Sequence, residues 1–511
     1  MVSYSEIKKN TYYDSVTLML ISGRLEAVDG IEEAAVMMGT DHNKLLMKNA
    51  GILDPEAESC GPNDLLIGLR ALTQEALDAA KACLRAAFEE KQNAADDAGG
   101  NCPQPSMEAA AEKLGEPNVC VISLPGRYAK RQAMKAMRMG MHVLLFSDNV
   151  SVEEEIELKR YAAAHGLLMM GPDCGTAIIG GAALGFANVI RRGNVGIVAA
   201  AGTGLQEVAV LVERFGSGIS EAIGTGGRDV TAQVGGVMML SALRALEADP
   251  QTCVIGIVSK PPAPEVLEKI KNLPFSKPVV CCLLGAPVGW AKGTKLIETQ
   301  TLEEAAAAMA ALDQGKQPEP LADIAELPLR LPAGRHYVRG LYSGGTLCYE
   351  AIQILREELG SVRSNLGKTP ETALEDVEIS VGNTLVDMGD DYFTDGMPHP
   401  MIDMRLRSER ICREAADPET GVILLDCVLG FGCHPDPAGA LAEAIRTAQK
   451  EHPGVIYVAS VCGTDRDEQN RAEQVRTLRK AGVIVAESNA RAAKITARLL
   501  NAEGGKCNAD Q

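Results

Sequence analysis

The amino-acid sequence predicts an α/β protein: a small α+β module at the amino terminus, followed by several parallel-sheet domains. Three observations lead to this class. From residue 117 onward, continuous apolar strands alternate with amphipathic helices, as in parallel sheets covered on both faces. The 511 residues exceed the ~250–300 at which a single hydrophobic core stops growing. The composition, 46% apolar but only 4% aromatic, is typical of cores built from Ala, Val, Ile and Leu.

Residues 1–92 are predicted to form the small α+β module. "SVTLMLISGRLEAV" has helical spacing, "IEEAAVMM" and "DLLIGLR" are strand-like, and "TQEALDAAKACLRAAFEEK" is a strongly amphipathic helix. The following segment 93–107, "NAADDAGGNCPQPSM", lacks periodicity and is rich in Ala, Asp, Gly and Pro. We interpret this segment as a linker.

Residues 108–192 are predicted to form the first parallel-sheet domain. The strand "NVCVISLP" leads into the helix "YAKRQAMKAMRMG", and "HVLLFS" leads into "SVEEEIELKRYAAAHG" before "LLMMGPDCG". The same rhythm resumes in residues 193–312 and, after a second linker at 313–334, in residues 335–503. This order predicts three successive parallel sheets after the module.

The last two of these domains resemble each other in sequence. The Gly-Thr pairs at 202–203 and 345–346 lie 143 residues apart, and Gly216 and Gly360 lie 144 apart. The Asp-Pro pairs at 249–250 and 417–418 lie 168 residues apart, and the extra length falls in the loop "MGDDYFTDGMPHPMIDMRLRSER". Each half then adds a further strand, "KPVVCCLLGAP" at 277–287 and "GVIYVASVCGTD" at 454–465. Four landmarks in one order indicate a duplicated domain.

Charge and cysteine content exclude several classes of function. The net charge of −18 is spread along the chain without a basic stripe, so neither nucleic acid nor an anionic membrane is an expected partner. The 14 cysteines form no CxxC pair and lie in apolar strand-like runs, which is typical of reduced thiols. With no secretory leader and no apolar run near ~18–20 residues, a cytoplasmic protein is expected.

Each copy of the duplicated domain contains a candidate anion-binding helix start. In "GIVAAAGTGLQEV" and "GLYSGGTLCYEA" a buried strand ends in a turn of small residues and then opens a helix. Small residues let a ligand approach the backbone, and a helix N-terminus carries roughly +0.5 of a charge, which suits a phosphate or a carboxylate. The candidate residues are Gly202, Thr203, Gly204, Gly345 and Thr346. The alternative is that the two threonines only cap their helices.

Two histidines and one lysine are candidates for catalysis. His399 in "GMPHPMID" and His434 in "FGCHPD" lie in loops near the carboxyl ends of predicted strands, the edge at which open α/β sheets bind ligands. Either histidine can serve as general acid and base or hold an anion. Each can equally be a loop histidine that is hydrogen-bonded to backbone. Lys260 before "PP" is placed either to orient a carboxylate or to reach solvent.

Acidic residues and cysteines give weaker candidates. The run "DMGDD" and its neighbours can supply carboxylates for Mg²⁺, or can form a turn with solvated charges; the residues are Asp387, Asp390, Asp391, Asp395 and Asp403. Cys174 and Cys433 adjoin proposed helix starts, where a thiolate is favoured, although buried structural thiols are the alternative. No dedicated metal site is predicted.

Longer strings of residues carry a resemblance to a known family. "GPDCGTAIIGG", "GIVAAAGTGLQE", "GTGGRD", "EADPQTCVIGIV" and "KPVVCCLLGAP" resemble, in this order, the α subunit of succinyl-CoA synthetase. Residues 339–500 resemble the carboxy-terminal ligase domain of its β subunit. The chain is most similar to the FdrA-type proteins of this superfamily, through "DSVTLM", "FSDNVS", "GLLMMGPDCGTA", "SKPPAP", "GGTLC" and "PHPMID". The resemblance to succinyl-CoA synthetase covers roughly 117–500.

The resemblance implies a Rossmann-like CoA-binding domain followed by two flavodoxin-like ligase domains. By position, Pro125 and Asp148 are implied to contact CoA. The substrate or phosphate is implied to lie at two helix starts, the first formed by Gly202, Thr203 and Gly204 and the second by Gly430, Gly432 and Cys433. Gly226 and Gly227 of "GTGGRD" are further implied contacts.

The chain also departs from the family pattern. The region that carries the phosphorylated histidine reads "LLGAPVGWAKGTKLIET" and has no histidine, and the supporting glutamate is replaced by Ser259 or Lys260. The amino-terminal 92 residues are too few for an ATP-grasp module. A complete ATP-dependent ligase is therefore not expected.

The resemblance then implies transfer of an acyl-type group between phosphate or CoA and a small carboxylate. FdrA-type proteins suggest a subunit of an oxamate carbamoyltransferase-like complex in allantoin and ureide catabolism, within a homo- or hetero-oligomer. The alternative is a non-catalytic scaffold that binds CoA or partner subunits.

Overall fold

The computed structural model describes residues 1–501, except residues 10, 12, 14, 63, 98–103, 326–328 and 395–396. Its contacts divide the chain into two compact units, one formed mainly by residues 1–116 and the other mainly by the residues from 117 onward. The α/β fold class predicted from the sequence is confirmed. None of the described helices is both long enough and apolar enough to cross a membrane.

The amino-terminal unit is an α+β module, as predicted. Its central strand β3 pairs antiparallel with β1 on one side and with β2 on the other, so β1 and β2 run parallel with α1 between them. Sequence reasoning did not identify β1. The elements are β1 (Val2–Lys8), α1 (Ser15–Glu26), β2 (Ile31–Met38), α2 (Asp41–Asn49), β3 (Leu65–Ala71), α3 (Gln74–Asp97) and α4 (Met107–Leu114).

The predicted linker at 93–107 is partly helical. Helix α3 continues to Asp97, and α4 begins at Met107 behind a Ser106 cap. Residues 98–103 of the predicted linker lie outside the described residues. The helix extends because "NAADD" contains two alanines and no glycine or proline, so that adding residues to an existing helix costs little.

A three-stranded parallel sheet of order β4-β5-β6 begins the second unit. Each strand is an apolar run, and the helices between them are amphipathic, as in a Rossmann-like half. The elements are β4 (Val119–Ile122), α5 (Gly126–Arg138), β5 (His142–Leu145), α6 (Val152–Ala164) and β6 (Met169–Met170).

The first ligase-type sheet has seven strands in the order β13-β12-β11-β9-β10-β7-β8. Five of them are parallel, whereas β7 and β8 form an antiparallel hairpin at the β10 edge. The elements are β7 (Thr176–Ile179), β8 (Ala182–Gly185), β9 (Arg192–Ala199), α7 (Gly202–Arg214), β10 (Ile219–Gly224), α8 (Val237–Ala248), β11 (Val254–Ser259), α9 (Pro264–Lys271), β12 (Val279–Leu283), β13 (Leu296–Thr299) and α10 (Leu302–Asp313).

The second ligase-type sheet has five parallel strands in the order β15-β14-β16-β17-β18. The elements are β14 (Tyr337–Tyr342), α11 (Gly345–Leu359), β15 (Thr384–Asp387), α12 (Asp391–Thr394), α13 (Arg405–Ala416), β16 (Thr420–Val428), α14 (Pro437–Glu451), β17 (Ile456–Cys462), α15 (Arg471–Lys480), β18 (Ile484–Ala486) and α16 (Asn489–Asn501).

The two ligase-type sheets share one topology. When strands are matched in chain order, both sheets have the flavodoxin-like order 2-1-3-4-5, with β9 and β14 as their first strands. One continuous apolar core runs through both domains and includes residues of α7, α10, α11 and α16. The four helices therefore form a layer in which the two copies pack against each other. This topology supports the predicted duplication, and the exact domain boundaries stay a prediction.

Candidate functional site

The starts of α7 and α11 lie side by side in the layer between the two ligase-type domains. A Cβ atom built on Gly204 would lie 2.8 Å from Cγ2 of Thr346. Thr203, the equivalent threonine of the other copy, meets a different glycine: a Cβ atom on Gly344 would lie 2.8 Å from its Cγ2. Only glycine allows this approach, so the small-residue turns bring the two helix starts together.

Backbone N–H groups at both helix starts lack partners within the described part of the chain. The N-cap residues Ala201 and Gly344 have no capping side chain. The first three N–H groups of each helix have no acceptor there, since the first bonds come from Leu205 to Ala201 and from Cys348 to Gly344. By contrast, side chains cap α4, α6, α10, α14 and α15. Thr203 and Thr346 lie inside their helices and are not the caps.

A buried carboxylate fixes the turn before α11. Asp426, which is fully buried in β16, accepts hydrogen bonds from the N–H groups of Ser343 and Gly344 at 2.8–3.1 Å. Arg407 donates to Oδ1 of Asp426 at 2.8 Å and also to the carbonyl of Leu341. Sequence reasoning missed this pair, although an aspartate inside the apolar run "GVILLDCVLG" was a signal, since a buried charge needs a partner.

Lys260 and Asp387 approach the start of α11 from the two domains. The carboxylate of Asp387, at the end of β15, lies against the backbone of Gly345, and its Oδ1 accepts from the N–H of Gly389 at 3.0 Å. Burial raises the pKa of Asp387 to about 7, against the lowering effects of this hydrogen bond and of the Lys260 charge. Lys260 is exposed, and its Nζ lies 5.1 Å from the centre of the Tyr349 ring on α11.

His399 lies on the other side of Gly389. A Cβ atom built on Gly389 would lie 2.7 Å from Nε2 of His399 and 3.2 Å from Oδ1 of Asp387. Nδ1 of His399 accepts from the N–H of Met401 at 3.2 Å, so the neutral ring carries its proton on Nε2. Burial, with the Arg407 guanidinium as a second cause, lowers the pKa of His399 to about 4. His399 is therefore a neutral donor at neutral pH.

His434 lies in the adjoining loop. Its N–H donates to the carbonyl of Met401 at 2.7 Å, and its Nδ1 accepts from the N–H of Asp436 at 3.0 Å. Both predicted histidines therefore have the backbone hydrogen bond that the structural alternative expects, and neither Nε2 has a hydrogen-bond partner among the described residues. The fold brings their two loops into direct contact.

The backbone N–H groups of the loop at 430–434 are largely occupied. Gly430 donates to Gln469, Phe431 to Ala187, Cys433 to Gly430 and His434 to Met401. A cavity of about 100 Å³ lies beside the loop; its lining includes Gly430, Gly432, Cys433 and Asp467. Helix α14 after this loop is capped by Asp436. Among the described residues, the first three N–H groups of α11 have no acceptor, whereas most of those in the loop at 430–434 have one.

Gly226 and Gly227 lie near the turn before α7. Gly226 has a φ of +81°, and a Cβ atom there would overlap the carbonyl of Pro172. A Cβ atom on Gly227 would lie 3.9 Å from the carbonyl oxygen of Ala200. The "GTGGRD" loop therefore borders the turn before α7, and its contact with substrate or phosphate stays a prediction.

Pro125 and Asp148, the implied CoA contacts, are brought together by the fold. Pro125 is the N-cap of α5 and has no capping side chain. A Cβ atom on Gly126 would overlap the carbonyl oxygens of Asp148 and Asn149, so only glycine lets α5 start against this loop. Basic residues follow along α5: Arg127, Lys130, Arg131, Lys135 and Arg138. An uncapped helix start followed by basic residues fits the phosphates of CoA.

For the candidate cysteines and acidic residues, the structure favours the structural alternatives over a reactive thiolate or a metal site. Burial raises the pKa of both Cys174 and Cys433 to about 12, which supports structural thiols. Asp390 accepts from the N–H of Tyr392, and Asp403 pairs with Arg405 at 2.7 Å. Asp395 lies outside the described residues. Among the described side chains, no group of three or more His, Cys, Asp or Glu is placed to hold a metal ion.

Comparison with known proteins identifies the family. A family model described as CoA-ligase matches residues 341–499, and one described as AllF, heavy metal-associated domain, matches residues 1–104. The uncharacterized protein YahF of Escherichia coli K12 is 45% identical over 498 residues, which cover 94% of this chain and 96% of YahF. The chain belongs to the FdrA-type family that includes YahF.

The family's link to CoA ligases extends over part of the FdrA-type chain. This chain is 27% identical over 187 residues to the α subunit of an ADP-forming succinate–CoA ligase of Methanothermobacter thermautotrophicus. The match covers 35% of this chain and 61% of that subunit. An apo acetyl-coenzyme A synthetase of Ca. Korarchaeum cryptofilum is 17% identical with a TM-score of 0.31, covering 75% of this chain and 82% of that chain. The match of the CoA-ligase family model to residues 341–499, together with the succinate–CoA ligase relative, makes the FdrA-type chain CoA-ligase-like.

Proposed function

We propose that this FdrA-type protein transfers an acyl-type group between phosphate or CoA and a small carboxylate, at the paired starts of α7 and α11. The observation that carries the proposal is the packing of two helices whose first N–H groups lack acceptors among the described residues. Two such helix starts supply partial positive charge from both sides of one point. A phosphate or a carboxylate is the ligand that satisfies them.

Local charges support an anionic ligand at this place. Asp426 already occupies the N–H groups of Ser343 and Gly344, but its charge is paired with Arg407. The exposed ammonium of Lys260 approaches from the first ligase-type domain. The N–H on Nε2 of neutral His399 is a further donor that needs no change of protonation at neutral pH. Asp387 is the opposing acid, and its raised pKa suits a group that exchanges a proton near neutrality.

CoA is the cofactor proposed for the Rossmann-like domain. The fit rests on the uncapped start of α5, the close approach of Gly126 to the loop at 148–149, and the basic residues along α5. CoA supplies a thiol that accepts an acyl group. The role of the chain is to bind the phosphates at α5 and to keep Asp148 beside the helix start.

The absence of the family's phosphorylated histidine favours a reaction in which phosphate itself reacts with the acyl-type group. The loop after β12 contains no histidine, and a Cβ atom on Gly285 in this loop would lie 2.9 Å from Oη of Tyr349 on α11. The loop thus borders α11 without offering a histidine to carry a phosphoryl group. In a carbamoyl phosphorolysis, a phosphate oxygen bonds to the carbamoyl carbon, the carbon–nitrogen bond breaks, and the leaving nitrogen takes a proton.

This chemistry suits one subunit of an oxamate carbamoyltransferase-like complex in ureide catabolism, in which the other subunits complete the active enzyme. The ligand would be a small carboxylate or an acyl phosphate. The proposal is supported by the paired anion-binding helix starts together with the loss of the phosphorylated histidine.

A ligand-stabilisation screen tests the proposal. The free energy of unfolding is measured with CoA, carbamoyl phosphate, oxamate, succinate, phosphate and ATP, each in excess. A specific ligand at 100 times its Kd is expected to add about 2.7 kcal/mol. Lys260→Ala is expected to weaken the response to carbamoyl phosphate, whereas the control Lys271→Ala, at the last residue of α9, is expected to leave it unchanged. No response to any anion would refute the proposal.

The occupied N–H groups at 430–434 favour a second candidate, a non-catalytic scaffold that binds partner subunits. The scaffold predicts that His399→Ala and His434→Ala leave the activity of the reconstituted complex unchanged. The transferase predicts a loss of ~10²-fold or more from at least one of them. Activity of the complex with each variant therefore separates the two candidates.

A further inference from the structure

Two equivalent glutamates lie one helical turn behind the paired helix starts. Glu207 in "GTGLQE" and Glu350 in "GTLCYE" each follow the threonine of their helix by four residues. Both are 1% exposed. Four residues of helix span ~6 Å, so each carboxylate lies about one turn below the proposed anion site.

The two glutamates cap helices of the opposite domain. Oε1 of Glu350, in the second ligase-type domain, accepts from the N–H of Leu302, the first residue of α10 in the first domain, at 2.7 Å. Oε1 of Glu207, in the first domain, accepts from the N–H of Asn489, the first residue of α16 in the second domain, at 3.1 Å. The helices α10 and α16 are themselves equivalent in the duplication, so the two caps are reciprocal.

Asn489 joins the two caps. Its side-chain Nδ2 donates to Oε2 of Glu350 at 2.8 Å and to the carbonyl of Leu347 at 2.9 Å, while its backbone N–H donates to Glu207. A third carboxylate, Glu303, accepts from Arg491 at 2.6 Å and from the hydroxyl of Ser488, the residue before α16, at 2.9 Å. The start of α16 is therefore bonded to both α7 and α11.

Burying these two carboxyl groups costs free energy of folding, which indicates that their hydrogen bonds have a structural role. Burial raises the pKa of Glu207, against the lowering effects of the Arg214 charge and the Asn489 hydrogen bond. Burial also raises the pKa of Glu350 to about 8, against the hydrogen bonds from Asn489 and Leu302. A buried acid of this kind is retained where its hydrogen bonds fix a geometry that apolar side chains would not fix. Here the fixed geometry is the register of α7 against α11.

We propose that Glu207 and Glu350 are positioning residues that hold the starts of α7 and α11 in register, through reciprocal capping of α16 and α10, so that both helix starts face one anion. This inference rests on the proposed anion site. Loss of a cap frees a helix of the opposite domain to shift. The close contacts between Gly204 and Thr346, and between Thr203 and Gly344, then open, and the N–H groups no longer converge.

Affinity for inorganic phosphate, measured by isothermal titration calorimetry on the full chain, tests the proposal. Glu207→Ala and Glu350→Ala are expected to weaken phosphate binding at least 10-fold. Glu207→Gln and Glu350→Gln keep an acceptor oxygen for the capped N–H, so they are expected to bind within about 3-fold of the wild type. If an alanine variant does not fold, Glu350→Asp is measured in its place, since it shortens the side chain by only one methylene.

Glu414→Ala is the matched control. Glu414 is also buried, at 5% exposed, in the same domain as Glu350, and it pairs with Arg339 and Arg410. This variant is expected to lose stability in urea but to keep its phosphate affinity. Wild-type affinity in Glu350→Ala and Glu207→Ala, or an equal loss in Glu414→Ala, overturns the positioning role alone. A wild-type protein that does not bind phosphate overturns the anion site and the positioning role together.

Discussion

Replacement of the buried Lys159 by methionine is expected to weaken the junction between the Rossmann-like domain and the first ligase-type domain. Nζ of Lys159, on α6, donates to Oε1 of Glu155 at 2.7 Å, to Oδ1 of Asp229 at 3.0 Å and to the carbonyl of Thr225 at 2.8 Å. All three charged side chains are no more than 1% exposed. Methionine has a similar length but provides none of these donors.

The expected loss of stability depends on which partners Glu155 and Asp229 keep when the lysine is removed. Breaking a buried ion pair by removing one partner costs about 3–5 kcal/mol, because the other charge stays buried. Here Glu155 keeps Arg228 at 2.9 Å, and Asp229 keeps the N–H groups of Met238 and Met239 at the start of α8. We therefore expect a cost near the lower end, about 3 kcal/mol.

Urea unfolding at pH 7, followed by far-UV circular dichroism, measures the cost, and hydrogen exchange locates it. Faster exchange is expected in α6 and in the segment 225–239. Lys130→Met is the control, because it removes a partly exposed ion pair between α5 and Glu157 on α6 and is expected to cost much less stability than the loss of a buried pair. The reasoning is refuted if Lys159→Met costs no more than Lys130→Met.

Three further predictions concern the helix layer and the CoA site. Because burial raises the pKa of Glu350 from 4.5 to about 8, the folded state binds a proton that the unfolded state lacks between these values. Wild-type stability in urea should therefore fall with rising pH in this window, by up to about 1.4 kcal/mol per unit, and Glu350→Gln should flatten the slope. Gly204→Ala is expected to cost about 1–3 kcal/mol in urea unfolding, and Thr346→Ser, which removes the opposing methyl group, should recover part of that cost in the double variant. Gly126→Ala should abolish thermal stabilisation by CoA while leaving the response to phosphate, since the new methyl group pushes α5 away from Asn149.

The element types and the duplication follow from local patterns. Apolar runs and helical spacing are properties of neighbouring residues, so most strands and helices beyond residue 117 were predicted in order. The strand Val2–Lys8 was missed because its polar residues give no strong alternation. The hairpin β7–β8 was also missed, since it follows from pairing with β10.

The candidate site was predicted in part. The helix starts at Gly202 and Gly345 carried a local signal, small residues between a strand and a helix, and both were found. The second start expected from the resemblance, at Gly430 to Cys433, has most of its N–H groups bonded to protein acceptors. Those acceptors belong to residues distant in the chain, such as Ala187 and Gln469, and no local pattern reveals them.

The sequence by itself determined the α/β class, the repeat, the absence of the phosphorylated histidine and the residues at the two helix starts, because each is written in a short stretch of chain. The tertiary structure alone decided which helix starts meet and what holds them. Packing of the two sheets brings Thr346 against Gly204, encloses Asp426 with Arg407, and sets Glu207 and Glu350 to cap helices of the opposite domain. Burial and long-range hydrogen bonds depend on the whole fold, and they decide the protonation and the geometry of the site.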